Sequence, residues 1–127
     1  MKVIALDYGS TRTGVAVSDP TGSLARPLCV VEGAGTPAGL SRLRELVRAE
    51  QAERVVVGLP LTLRGARGEQ ARETERFVEG LRAAVDVPVE TFDERFTTTL
   101  AGPGAGDDAR AAAHLLSSYL EWSSRRS

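Results

Sequence analysis

The run Val3-Ile4-Ala5-Leu6-Asp7-Tyr8-Gly9-Ser10-Thr11-Arg12-Thr13-Gly14-Val15-Ala16-Val17-Ser18 constrains this chain more than any other segment. Four successive apolar residues, Val3 to Leu6, have the pattern of a strand buried on both faces, so Asp7 stands where that strand leaves the core. An acid so placed faces a cleft. Gly9 and Gly14 let the backbone approach a ligand closely, and Ser10, Thr11 and Thr13 offer hydroxyls and amides to phosphate oxygens. The chemistry indicated is metal-assisted work on phosphate. Asp-x-Gly also forms plain hairpin turns in which the acid only accepts turn hydrogen bonds, so further carboxylates must decide between the two.

At 127 residues the chain has the length of one domain, spanning 1–127, and can bury roughly two-thirds of its unfolded surface without disulfide staples. Its single cysteine, Cys29, lies in the apolar run Pro27-Leu28-Cys29-Val30-Val31 and has no partner for an internal disulfide; a buried strand position and a reducing cytoplasm are expected. No apolar stretch reaches the ~18 residues that cross a bilayer, and the N-terminus lacks a signal-peptide core, so no membrane partner is expected. The net charge of -1 runs against the basic balance usual for nucleic-acid binders. Distribution matters more, because all cationic residues except Lys2 are arginines, and Arg64, Arg67, Arg72 and Arg76 gather in one loop and the helix after it. Guanidinium forks suit phosphate. On the helix itself, Glu69, Glu73, Glu75 and Glu79 offer the arginines ordinary surface pairing.

Strands are predicted near 2–7, 13–18 and 26–32, forming an antiparallel meander. Thr36-Pro37 opens a helix near 37–51 with Leu40, Leu43, Leu46 and Val47 on its inner face. A short apolar strand, Arg54 to Gly58, follows and is stopped by Gly58-Leu59-Pro60. A helix near 67–85 carries Ala71, Thr74, Phe77, Val78, Leu81 and Ala84 at helical spacing. Val87 to Phe92 forms another strand, with Pro88 marking an edge or a strand start, and it delivers Asp93-Glu94-Arg95.

The last helix, near 107–122, carries the strongest geometric signal. Asp108 lies on one stripe with Ala112, Leu115 and Tyr119, at i+4, i+7 and i+11, so it faces the sheet, while Asp107 is assigned to the helix cap. An acid on that stripe joins the acids at the strand ends, and crowded carboxylates are costly unless they share a cation.

The order βββαβαβα with acids at these positions is that of the ribonuclease H-like superfamily: an α/β fold with a mixed five-stranded sheet, a three-stranded antiparallel meander plus parallel strands, flanked by helices. More narrowly, the chain resembles the YqgF/RuvX family, described both as Holliday-junction resolvases and as nucleases that mature the 5′ end of 16S rRNA. The resemblance covers nearly the whole chain. It rests on Leu6-Asp7-Tyr8-Gly9-Ser10-Thr11-Arg12-Thr13-Gly14-Val15-Ala16, on Val56 to Leu61, on Phe92-Asp93-Glu94-Arg95-Phe96-Thr97-Thr98, and on Asp108 to Leu116 leading to Tyr119-Leu120.

By that resemblance Asp7 and Asp108 correspond to metal-binding catalytic acids, and the third comes from Asp93-Glu94-Arg95. Strand alternation alone does not choose between Asp93 and Glu94; the longer arm of Glu94 reaches a shared ion more easily, with Asp93 as the alternative. The implied reaction is phosphodiester hydrolysis with two Mg²⁺ or Mn²⁺ ions about 4 Å apart. One histidine, His114, and one cysteine leave zinc without ligands. Substrate contacts are expected from Tyr8, Gly9, Ser10, Thr11, Arg12, Arg64, Arg67 and Arg95, with Tyr8 a candidate for stacking on bases and Trp122 a packing residue. The implied partner is structured RNA, with branched DNA as the alternative, bound by a monomer or weak dimer. Between Arg95 and Asp108 the chain carries only a threonine-rich stub and a Gly/Pro/Ala turn, shorter than the family's basic element. Two rival classes are an actin-like or sugar-kinase-like ATPase, which needs two such domains, and a binding module of weak catalytic power.

Overall fold

A computed structural model describes residues 1–61, 68–94 and 108–125 of the chain. The predicted elements are all present, as β1 (Val3–Asp7), β2 (Arg12–Ser18), β3 (Ala25–Glu32), α1 (Pro37–Glu50), β4 (Arg54–Leu59), α2 (Glu69–Ala84), β5 (Val89–Asp93) and α3 (Asp108–Ser124). They build one five-stranded sheet in the order β3-β2-β1-β4-β5. The β1-β2 and β2-β3 pairs are antiparallel, the expected meander, while β1-β4 and β4-β5 are parallel. The apolar strands β1 and β4 lie at the centre of the sheet, which explains why both read as unbroken apolar runs.

Alternation along the strands sends side chains to two separate cores. Ile4, Leu6, Val55 and Val57 point to one face, where Leu43 and Val47 of α1 and Phe77, Val78 and Leu81 of α2 cover them. Val3, Ala5, Val56 and Phe92 point to the other, where Ala112, Leu115, Leu116 and Tyr119 of α3 cover them. Leu115 and Leu116 keep 2% and 0% of their surface exposed; each buried leucine contributes roughly 1.5–3 kcal/mol, so α3 is held by packing along its length. Helix α1 starts as its sequence implies: the Thr36 hydroxyl accepts from the Gly39 amide at 3.1 Å and Pro37 occupies the first turn.

Two expectations need correction. Strand β4 ends within Gly58-Leu59-Pro60 as expected but one residue later than predicted, at Leu59, with Gly58 paired to Phe92. Cys29 is half-buried, not buried, because β3 is an edge strand covered incompletely by α1. Pro88 precedes Val89 at the start of β5, itself an edge strand, and its carbonyl accepts from the Val55 amide.

Candidate active site

Three acids approach one another at the ends of β1 and β5. Asp7 is the last residue of β1, Glu94 follows β5, and Asp108 opens α3. Alternation explains the convergence. Asp7 continues the α3-facing series Val3, Ala5, and Glu94 continues the α3-facing series begun by Phe92, whereas Asp93 falls in step with Val89 on the opposite face. Glu94, and not Asp93, therefore stands on the face that α3 covers, beside Asp7.

Asp7 and Glu94 share a side-chain hydrogen bond. Burial is the main cause that pushes the Glu94 carboxyl up to about 7; the Asp7 charge, the hydrogen bond to Asp7 and the Asp93 charge add to it. Burial also raises Asp7, the hydrogen bond from Glu94 lowers it, and the Asp108 charge raises it. Both carboxyls are thus held above their ordinary range, and a single proton shared across the hydrogen bond relieves their repulsion. Asp108 turns its carboxylate to Arg12, with Oδ2 3.3 Å from Nε. In this arrangement no three His, Cys, Asp or Glu side chains among the described residues converge closely enough to hold one ion. The donor set nevertheless suits a hard cation: two half-buried carboxyls that must share a proton are the groups from which a divalent ion displaces one, with a third carboxylate close enough to act on Asp7.

Glycines make the convergence possible. A Cβ on Gly58 would sit 2.6 Å from Oε1 of Glu94, so the bare backbone of β4 is what admits that carboxyl beside Asp7. This contribution was missed; the signal for it was a glycine inside an apolar strand, which marks a close approach. A Cβ on Gly14 would lie 1.7 Å from the Asp108 carbonyl oxygen, and Gly14 is the cross-strand partner of Asp7. The room at Gly14 is thus filled by the first residue of α3 and not by a ligand, as its place in the loop motif implied. At Gly9 the space is taken by the Arg12 carbonyl, 2.4 Å from where a Cβ would be, as the chain doubles back.

A cleft of about 230 Å³ opens beside the acids, lined by Asp7, Tyr8, Gly9, Ser10, Glu94 and, from α2, Gln70, Glu73 and Thr74. Tyr8 cannot stack on a base with the face that Phe77 covers, ring centroids 4.3 Å apart and planes 17° from parallel; it forms a wall of the cleft. Thr13 is buried and its hydroxyl is engaged with Gly9, accepting from the amide and facing the carbonyl at 3.3 Å, so it is not offered to phosphate. Ser10 and Thr11 are exposed, and Arg12 keeps 57% of its side chain exposed. Trp122 packs against Phe92 and Tyr119. Arg64, Arg67, Arg95 and Asp107, which was expected to cap α3, lie outside the described residues.

The model of the family described as "RuvX: Holliday junction resolvase" matches residues 1–122. This chain belongs to the RuvX family. A relative from Rubrobacter xylanophilus, named "Putative pre-16S rRNA nuclease", is 47% identical over 131 residues, covering 94% of this chain and 92% of its own length. Another of the same name from Roseiflexus is 45% identical over 100 residues, 79% of this chain and 71% of the relative. Among the similar relatives, the aligned share of their own length runs from 62% to 95%. In fold, this RuvX-family chain is similar to Thermus thermophilus RuvC solved with a Holliday junction substrate: TM-score 0.63, 20% identity, 98% of this chain and 96% of that one. The ribonuclease H-like architecture expected from the element order is the one observed.

Proposed function

We propose that this RuvX-family chain is a divalent-metal-dependent nuclease whose acids are Asp7, Glu94 and Asp108, and whose substrate is the extended 5′ end of 16S rRNA in the cytoplasm. One observation carries the reading: the half-buried carboxyls of Asp7 and Glu94 are hydrogen-bonded to each other, with the Asp108 charge beside them. Crowded, partly buried like charges cost stability, so their presence at the mouth of a polar cleft favours a role in chemistry.

Asp7, Glu94 and Asp108 would hold Mg²⁺ or Mn²⁺, and a pair of such ions would activate water and stabilise the leaving oxygen of a phosphodiester. Glu94 would give up its proton on holding the cation, and the cleft wall of Tyr8, Ser10 and Gln70 would orient the strand. Gly58 keeps the Glu94 carboxyl within reach of Asp7. Asp93, on the other face of β5, tunes Glu94 through its charge without joining the ligands. The relatives' printed name favours precursor rRNA, and the family's printed description favours branched DNA as the second substrate.

Cleavage of a labelled RNA carrying the 16S 5′ extension, with a four-way DNA junction in parallel, tests this in Mn²⁺ or Mg²⁺. Metal-dependent cutting of the RNA that disappears in Asp7→Asn supports the proposal. Cutting of the junction alone moves the substrate to branched DNA, and no cutting of either by folded protein reduces the chain to a binding module.

A further inference from the structure

We propose that Arg12 is a positioning residue that holds the Asp108 carboxylate in the metal-free enzyme, exchanges it for the cation, and is thereby freed to meet a substrate phosphate. The inference rests on the metal-dependent reading above. Three observations on the α3 face carry it. Arg12 and Gly14 are two apart on β2 and so point to the same face, the one on which α3 lies. The Asp108 carbonyl packs against Gly14, so closely that no Cβ fits between them, which pins the start of α3 to the strand paired with Asp7. With the backbone pinned, only the Asp108 side chain can move, and it points to Arg12 at 3.3 Å while its charge already acts on Asp7.

Exchange therefore needs a side-chain rotation and no helix shift. The ion pair is suited to exchange, because both partners are partly in water, 57% and 35% exposed, and pairs in that setting are marginal. An Arg freed at the rim of the cleft presents a planar fork to a phosphate, in which two N–H groups donate to two oxygens. Arg12 thus neutralises one acid while the site is empty, and its release couples cation uptake to substrate capture.

Mn²⁺ binding, followed by the loss of the free-ion electron paramagnetic resonance signal, tests the exchange in wild type, Arg12→Gln, Arg12→Lys, Asp108→Asn and the Arg12→Gln/Asp108→Asn double variant. Arg12→Gln is expected to bind Mn²⁺ roughly two- to five-fold tighter, the span set by the strength of a marginal ion pair, and Arg12→Lys to return toward wild type. The gain should vanish in the Asp108→Asn background, and the KM for RNA should rise in Arg12→Gln although metal binding has improved. Unchanged or weaker Mn²⁺ binding by Arg12→Gln overturns the inference, as does a gain that persists without Asp108, which would make Arg12 only a diffuse positive charge. Failure of the wild type to bind Mn²⁺ at all overturns the metal-dependent reading and this inference with it.

Discussion

Helix α3 spans two polar clusters that differ in one respect. Near its C-terminal half, Arg54 donates to the Tyr119 hydroxyl at 2.9 Å, Tyr119 donates to Glu90, and Arg54 and Glu90 stand 3.5 Å apart: a cation, an anion and a hydroxyl whose charges balance. At its first residue, Asp108 stands beside Asp7 and Glu94, three acids that among the described residues are faced by the exposed Arg12. Both clusters tie the same helix to the same sheet. The first contributes to stability in the ordinary way, and the second, among the described residues, carries more negative than positive charge, as the proposed cation site requires. A polar cluster whose own residues leave its charge unbalanced is the better candidate for function.

The largest effect expected from this contrast is at Asp7. Asp7→Asn removes one anion from the unbalanced cluster and should lower cleavage by at least ~10³-fold, about 4 kcal/mol of transition-state stabilisation, while the fold is kept or strengthened. Single-turnover cleavage with a parallel melting curve checks both halves. A loss of activity matched by a loss of folded protein would break the distinction between the clusters.

Gly58→Ala comes next. The added Cβ meets the Glu94 carboxyl at 2.6 Å, and the movable partner is the end of a flexible side chain, so Glu94 gives way before the strand does. Displacing a ligating group by about 1 Å costs on the order of 10²-fold in rate. The kcat at saturating metal should drop by that order with little change in melting temperature, and retention of full activity would show that Glu94 need not stand where the structure puts it.

These two residues also measure what was legible in the sequence. The place of Asp7 was readable because an unbroken apolar run ends in it, and the direction of Asp108 because its stripe partners Ala112, Leu115 and Tyr119 face the sheet. The sheet was readable for the same reason: Val3 to Leu6 and Val55 to Val57 have no polar side and can only be central. Gly14 and Gly58 were not, because a glycine shows room and not what fills it; α3 occupies one vacancy and Glu94 the other. Thr13 read as a ligand contact from its place in the loop, yet its hydroxyl is buried against Gly9, and Tyr8 has one ring face taken by Phe77 while it still lines the cleft. The Tyr8–Phe77 pairing joins distant parts of the chain and leaves no local trace in the sequence.

Smaller again is the pH response of the metal-free protein. Glu94 holds its proton up to about 7 in the folded chain, above its ordinary 4.5. Below about 4.5 both states are protonated and the difference vanishes. Between there and about 7 the native state binds more protons, so stability falls as pH rises, and it levels off above 7. The raised Asp7 acts in the same direction. Glu94→Gln should flatten this part of the profile and exceed wild type by roughly 1–3 kcal/mol at pH 8. Urea titrations at several pH values check it. Mg²⁺ should restore the wild type at pH 8 and leave Glu94→Gln nearly unchanged; an equal response of both would place the cation elsewhere.

Tyr119→Phe provides the counterpart at the balanced cluster and the smallest effect. The phenol hydroxyl is the group that both Arg54 and Glu90 engage, so its removal costs each of them a hydrogen bond but leaves them paired with each other at 3.5 Å and open to water. The net loss is that of ordinary hydrogen bonds, about 1 kcal/mol, or a few degrees in melting temperature for a chain of this length. Burial holds the Tyr119 phenol above its usual range, and Glu90 pushes it the same way, so it does not titrate between pH 5 and 8. The loss should therefore be constant across that interval, with or without Mg²⁺. The hydroxyl lies three helical turns from Asp108, and the intervening Ala112, Leu115 and Leu116 remain packed, so cleavage should be unchanged once folded protein is normalised. A Mg²⁺-dependent cost at Tyr119, or a fall in kcat without a fall in stability, would show that the two clusters communicate along α3 and that their contrast is one of degree.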